Sequence, residues 1–339
     1  MIQSTTKEID ATMFGFTDEH AALREVLREY FAGTAATGRT VRWQRLLTEV
    51  GVDDLLFGDA CETAVELAIL AEESGAALFD GPLVSAAALG SLAEELDGVR
   101  DGRRLPCVAV ALTGPGDPAA DHPFWDFSEG GVAVAGLSAN GATVLGAYDG
   151  DALGLRACSV LDPSRPLGRT DAVAGPTLRE WDADAVIGMR RRADLVLSAE
   201  LLGVAQRVLD GTVDYVGSRV QFGRTVGSFQ AVKHRLADIL AQVELTRSAV
   251  YGAAWQLGAG PVGVAAEVDL AVAAVLSRQT GVEATKAAIQ LHGGIGITWE
   301  HWAHRYLRRA HSVIALTGAP AQHRRRLATL IDMRDGAHD

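Results

Sequence analysis

The feature that most constrains this chain is a change of hydrophobic period that occurs twice. Up to about residue 100, and again from about residue 193 onward, apolar residues recur at helical spacing. Between Pro106 and about residue 185 they come instead in short runs rich in valine and glycine. A helix buries one stripe and a strand one face, so the order reads helices, a small β unit, then long helices. Near the C-terminal end, Phe229, Val232, Leu236, Leu240, Val243 and Val250 trace one face of a long helix. Alanine-rich residues 264–290 predict a second, stopped by Gly293 and Gly294. Pro320 suits the first turn of a last helix that carries Leu327, Leu330 and Ile331.

The N-terminal part follows the same logic. Thr17 can cap a helix whose Leu23, Val26, Leu27, Tyr30 and Phe31 share a face. Trp43, Leu46, Leu47 and Val50 repeat that spacing, and alanine-rich stretches at 62–76 and 84–96 are divided by Gly81 and Pro82. In the middle, Val108–Leu112, Val132–Ala135, Ala142–Leu145 and Ala157–Leu161 read as strands. Turn residues at 138–141 and 149–151 separate them, which predicts a small antiparallel barrel or sandwich. The expected division is 1–104 helical, 105–188 a short β domain, and 189–339 a helical bundle.

Composition narrows the function. At 48% hydrophobic over 339 residues the chain can bury a large core, so disorder is excluded. Its net charge is −12, with basic residues scattered except for Arg305, Arg308, Arg309 and the run Arg324 to Arg326. Such a run is the mark of a solvated helix face, and nucleic acid is a poor partner for so acidic a protein. Cys61, Cys107 and Cys158 lie far apart, with neither metal-ligand spacing nor the density of a disulfide scaffold. No pair of histidines shows the helical spacing with a carboxylate that a metal site needs. No apolar run reaches membrane-spanning length and no charged-then-apolar leader opens the chain, so a cytoplasmic protein is expected.

Two segments can carry chemistry. Arg219-Val-Gln-Phe-Gly-Arg-Thr-Val-Gly-Ser-Phe-Gln230 joins two helical stretches and holds two glycines, two arginines and two glutamines. Glycine lets backbone approach a ligand and an arginine fork suits a phosphate, although an interhelical loop with solvated arginines has the same composition. The second segment, Gln290-Leu-His-Gly-Gly-Ile-Gly296, is either a helix C-cap or a backbone cradle for a diphosphate. It follows a helix rather than a strand, so it is no Rossmann fingerprint.

Taken together, the two segments resemble the acyl-CoA dehydrogenase family. The likeness runs through Ala199–Asp210, Arg219–Gly223, Gly227–Asp238 and Gln290–His301, and thins through the middle of the chain. It implies a helical N-terminal domain, a β domain and a C-terminal four-helix bundle around FAD and an acyl-CoA thioester. It also implies that Arg219 reaches the FAD diphosphate across a subunit interface, with Gln221 and Phe222 beside it and Gln230 near the cofactor. Gln290, Gly293 and Gly294 then meet the adenosine half. A glutamate that takes the substrate's α proton is the family's catalytic residue.

That glutamate is missing. In Leu316-Thr-Gly-Ala-Pro320, Thr317 stands at its usual place, and Ala193 stands at the alternative one, leaving no catalytic residue expected. Asp194, Glu200 and Glu300 are the nearby carboxylates, each read more simply as a solvated or ion-paired acid. His292 and His301 read as hydrogen-bonding core residues. Thr113-Gly-Pro-Gly116 only echoes a flavin-side loop, the Trp-Ile-Thr segment has no counterpart, and Ala319 and Ala321 replace polar cofactor contacts. This pattern resembles the short subunit of actinobacterial α2β2 acyl-CoA dehydrogenases, several of which act on steroid side-chain thioesters. The expected partners are then a second subunit with the base, an acyl-CoA and an electron acceptor protein. The alternatives are an independent FAD enzyme with a relocated base or altered chemistry, and a flavin-free scaffold.

Overall fold

The first helix, Asp18–Gly33 (α1), starts where Thr17 Oγ1 accepts the His20 amide at 3.3 Å. This computed structural model describes residues 15–33, 38–58, 60–113, 123–139, 142–258 and 263–336. Leu27 is fully buried in α1, and Leu23, Tyr30 and Phe31 pack on the core, but Val26 is exposed, contrary to the expected face. Next come Arg39–Arg45 (α2), extended by a π turn at Leu46–Val50 that Gly51 closes at φ 74°, and Asp53–Phe57 (α3). Ala60–Ala77 (α4) and Leu83–Leu89 (α5) follow. The stretch expected to be helical to residue 96 tightens into a 3-10 turn at Gly90. There φ is 54° and a Cβ would stand 2.8 Å from Arg192 Nε. Only glycine suits both demands.

The middle unit is two small sheets. Pro106–Val108 (β1), Phe124–Trp125 (β2), Val132–Ala139 (β3), Ala142–Asp149 (β4), Arg156–Cys158 (β5), Leu167–Arg169 (β6) and Arg179–Trp181 (β7) pair as β1-β3-β4-β7 and β2-β6-β5. Among the described residues one bridge, Ala109 to Phe124, links them. Three expectations are corrected. The β1–β3 pair is parallel, so the unit is mixed rather than antiparallel. The run Val108–Leu112 leaves the sheet at Val110 for a 3-10 turn, and the run from Ala157 leaves it after Cys158. Apolar runs of that length fit a buried turn as well as a strand, so period alone does not separate them. Asn140-Gly141 and Gly114–Gly116 lie outside the described residues.

The helical half begins at Ala183, where the Asp182 carboxylate accepts the Asp184 and Ala185 amides at 3.1 and 3.2 Å. Ala183–Ser218 (α6) runs into a hairpin, Val220–Gln221 (β8) and Arg224–Thr225 (β9). Gln230–Gly258 (α7), Val264–His292 (α8), Ala303–Thr317 (α9) and Pro320–Gly336 (α10) complete it. Helix α8 packs on α6, α7, α9 and α10, while α4 lies against α6 and α7. On α7 the inner face is Ile239, Val243, Thr246 and Val250, and Leu240, expected inward, is exposed. The α4–α6 crossing is close because glycine faces backbone from both sides. A Cβ at Gly203 would lie 1.8 Å from Glu72 O, and one at Gly75 2.2 Å from Glu200 O. This contact sets α6 at the centre of the molecule, with every side chain from Arg192 to Ala205 buried.

Candidate functional site

Both expected base positions are sealed. Thr317, the last residue of α9, is 2% exposed. Its hydroxyl donates to Val313 O at 2.8 Å and accepts from Arg278 Nη2 at 3.0 Å and Nε at 3.3 Å. Arg278 is fully buried on α8, and burial is the main reason its guanidinium falls to about 10. His323, one turn into α10, donates Nε2–H to Thr317 O at 3.0 Å. Burial first, and Arg278 second, push its imidazole down to about 4, so it is neutral. Ala193 is buried beside this cluster, and its neighbour Asp194 is held by Arg326 Nη1 at 2.6 Å. A threonine bonded to a guanidinium has no acceptor free for a proton, and Asp194 is an ion-paired acid with no path to solvent.

The second carboxylate, Glu200, lies further along α6 and is fully buried. Its oxygens accept from Arg165 Nη2 at 2.5 Å and Arg309 Nη1 at 2.7 Å. Arg309 also binds Asp162 and, at 2.9 Å, Ser164 Oγ. Burial raises the Glu200 carboxyl, but the two arginines outweigh it and leave it below the usual carboxylate range. Arg165 in turn lies over Trp125, 5.2 Å from the ring centre, and Trp125 Nε1 donates to Thr113 Oγ1 at 2.9 Å. Trp125 and Thr113 are both fully buried. Side chains of this chain therefore fill the seam between the β unit and α6, α9. Each charge there is neutralised locally, as burial requires.

The expected cofactor residues lie elsewhere, all at one end of the bundle. Arg219 caps α6 and is exposed. Gln221 Nε2 turns back to Val220 O at 2.7 Å. Phe222 and Gly223 form the tip of the β8–β9 hairpin with φ of 53° and 77°. Two positive φ values are what a two-residue hairpin turn demands, and they leave the Phe222 ring 92% exposed. Gln230 opens α7, with Nε2 3.2 Å from His234 Nε2. Gln290, Gly293 and Gly294 are exposed where α8 ends, and a Cβ on either glycine would meet nothing within 4 Å. What joins the two segments is a stack of Tyr215 on His292, ring centres 4.3 Å apart, at the ends of α6 and α8. His292 donates Nδ1–H to Ala288 O at 2.7 Å, and His301 Nδ1 accepts the Ala303 amide at 3.2 Å. Both histidines are structural here. Glu300 is exposed and forms no ion pair among the described residues.

Sequence reasoning missed Arg278, Arg165, Arg309, Trp125 and His323 as the groups that fill the interior. For Arg278 there was a signal: it is the one charge between Asp269 and Glu283, on a helix rich in alanine and valine. Nothing local marked Arg165 or Arg309, whose partners lie 35 and 109 residues away. Among the described residues no cluster suits a metal ion and no helix is long and apolar enough to cross a membrane.

Residues 191–331 match the family described as acyl-CoA dehydrogenase, C-terminal domain. The chain is 32% identical over 289 residues to acyl-CoA dehydrogenase IpdE2 of Mycolicibacterium smegmatis, covering 84% of this chain and 86% of that protein. Its fold is similar to a variant of the Tcur3481-Tcur3483 steroid ACAD, with a TM-score of 0.80 and 24% identity over 95% of this chain and 99% of that one. It is also similar to a chain of the ChsE4-ChsE5 complex from Mycobacterium tuberculosis. There the TM-score is 0.77 at 20% identity, over 96% and 99% of the two chains.

Proposed function

Because the chain belongs to the acyl-CoA dehydrogenase family, we propose that it is the non-catalytic subunit of a heteromeric acyl-CoA dehydrogenase, completing the FAD site of a second subunit that carries the base. One observation supports this most. The residues expected at the cofactor lie exposed at an outer end of the bundle, while both expected base positions are buried, Thr317 bonded to Arg278 and Ala193 next to the ion-paired Asp194. A chain built this way can hold a neighbour's cofactor and cannot deprotonate a substrate of its own.

The residues present fit that role. Arg219 is exposed and forms no ion pair among the described residues, so its fork is open to a diphosphate. Gly293 and Gly294 keep the surface beside it clear of side chains. Gln221, Phe222, Gln230 and Gln290 stand along the same edge. FAD bound between the subunits would supply the acceptor for the β hydride, and a glutamate of the second subunit would take the α proton. This chain orients and excludes water. The two-chain names of both solved relatives favour a heteromer, and the steroid named in one favours a bulky acyl-CoA. An electron-transfer protein would then reoxidise the flavin.

The test is co-production with each acyl-CoA dehydrogenase chain of its host that keeps the base glutamate, followed by flavin absorbance of the purified complex. Arg219→Ala removes a charge-assisted contact worth about 1.5–3 kcal/mol, roughly ten- to a hundredfold in FAD affinity. Lysine should recover only part, since a point charge does not reproduce the fork. Unchanged FAD retention in Arg219→Ala would remove Arg219 from the site.

A further inference from the structure

We infer that Trp299 is the anchor that seats this end of the bundle on the second subunit, against an apolar face with an acidic rim. The inference rests on the reading above and deepens it by naming the contact. Trp299 is 74% exposed and Ile297 beside it 73%, on the turn between α8 and α9. Large apolar side chains grouped this way on a surface mark an interaction site.

The Trp299 ring is held in place. His304 stacks on it with centres 5.3 Å apart and planes 19° from parallel, and His304 Nε2 donates to the Trp299 carbonyl at 2.8 Å. Arg308, one turn further along α9, sets its guanidinium 4.7 Å from the ring centre. A tryptophan already fixed in one orientation loses little entropy on docking, which is what makes such residues hot spots.

Charge next to the ring favours one kind of occupant. The chain carries −12, and its arginines mostly pair with acids. At this end Arg207, Arg224, Arg305 and Arg308 form no ion pair among the described residues, although Asp210, Asp214 and Glu300 there form none either. Arg207 packs on Trp302 and Arg224 on Phe229 instead. Unpaired cations around an apolar patch complement an acidic rim. A second copy of this chain docking symmetrically would set the same arginines against one another, so an unlike subunit is favoured.

The experiment uses the same co-produced complex, diluted in sedimentation-velocity runs. Trp299→Ala should raise the dissociation constant about tenfold or more, with the melting temperature of the lone chain unchanged. Trp299→Phe should recover part. His304→Ala, which acts by seating the ring, should weaken assembly in the wild type and do nothing further in a Trp299→Ala background. Arg219→Ala, by contrast, should assemble and shed FAD. Three outcomes overturn the inference: a Trp299→Ala complex as tight as wild type, one that assembles but loses flavin, or self-association of the lone chain that Trp299→Ala abolishes. If wild type joins none of the candidate subunits, the heteromer reading and this inference fall together, whereas an intact wild-type complex indifferent to Trp299 sinks the inference alone.

Discussion

At the residue scale, the seal over Thr317 predicts that placing a glutamate there would not be enough. Thr317→Glu would set a carboxylate against the Arg278 guanidinium, whose nitrogens already lie 3.0 and 3.3 Å from the threonine oxygen. The new acid would be ion-paired, its pKa lowered, and a poor base. The expected result is no acyl-CoA-dependent turnover from the lone Thr317→Glu chain in a dye-reduction assay. Appreciable turnover would show that the base was the only thing lost. Glu200 gives a second prediction. Removing it leaves Arg165 and Arg309 buried without their shared counter-charge, so Glu200→Ala should cost about 3–5 kcal/mol in urea unfolding. A loss below about 1 kcal/mol would mean that Asp162 alone balances the pair.

At the element scale, α6 is where local sequence and tertiary structure part. Its helical period was legible, and so were the glycine stop at Gly293 and the Pro320 start. Leu240 and Val26 were misassigned because apolar residues at helical spacing can also line an outer face. The Arg219 and Gly293 segments were legible as candidates because glycine and arginine mark themselves. Their meeting was not, since it depends on Tyr215 stacking on His292, which are 77 residues apart. The internal ion pairs were equally hidden, because each joins elements whose spacing only the fold sets. The junction of α8, α9 and α10 carries a pH prediction. His323 binds a proton in the unfolded chain below about 6.5 but in the folded one only near 4. Between these values the unfolded state holds more protons, so stability should fall as pH drops from about 6.5 to about 4. Glu200 and Asp162, both lowered, should add a further loss below the ordinary carboxylate range. Urea unfolding at several pH values should show the first slope, and His323→Gln should reduce it, leaving the share of His292, His301 and His311, which burial also lowers. An unchanged slope in that variant would place the proton uptake elsewhere.

At the scale of the whole molecule, an acyl-CoA dehydrogenase fold is retained with both expected base positions buried and the residues proposed for the cofactor exposed at one end of the bundle. The filling is not a single substitution but two clusters, Arg278 with Thr317 and Glu200 with Arg165 and Arg309, each with a member on α9. Reverting either leaves the other in place. On the reading proposed above, such a chain gains activity only by pairing with one that kept the reacting groups. The most direct measurement is acyl-CoA-dependent reduction of an artificial electron acceptor, run with straight-chain and steroid side-chain thioesters. The lone chain should give none. The complex should turn over, lose that activity when the partner's base glutamate becomes glutamine, and keep it when Glu300 of this chain does. Robust turnover by the lone wild-type chain would contradict the account.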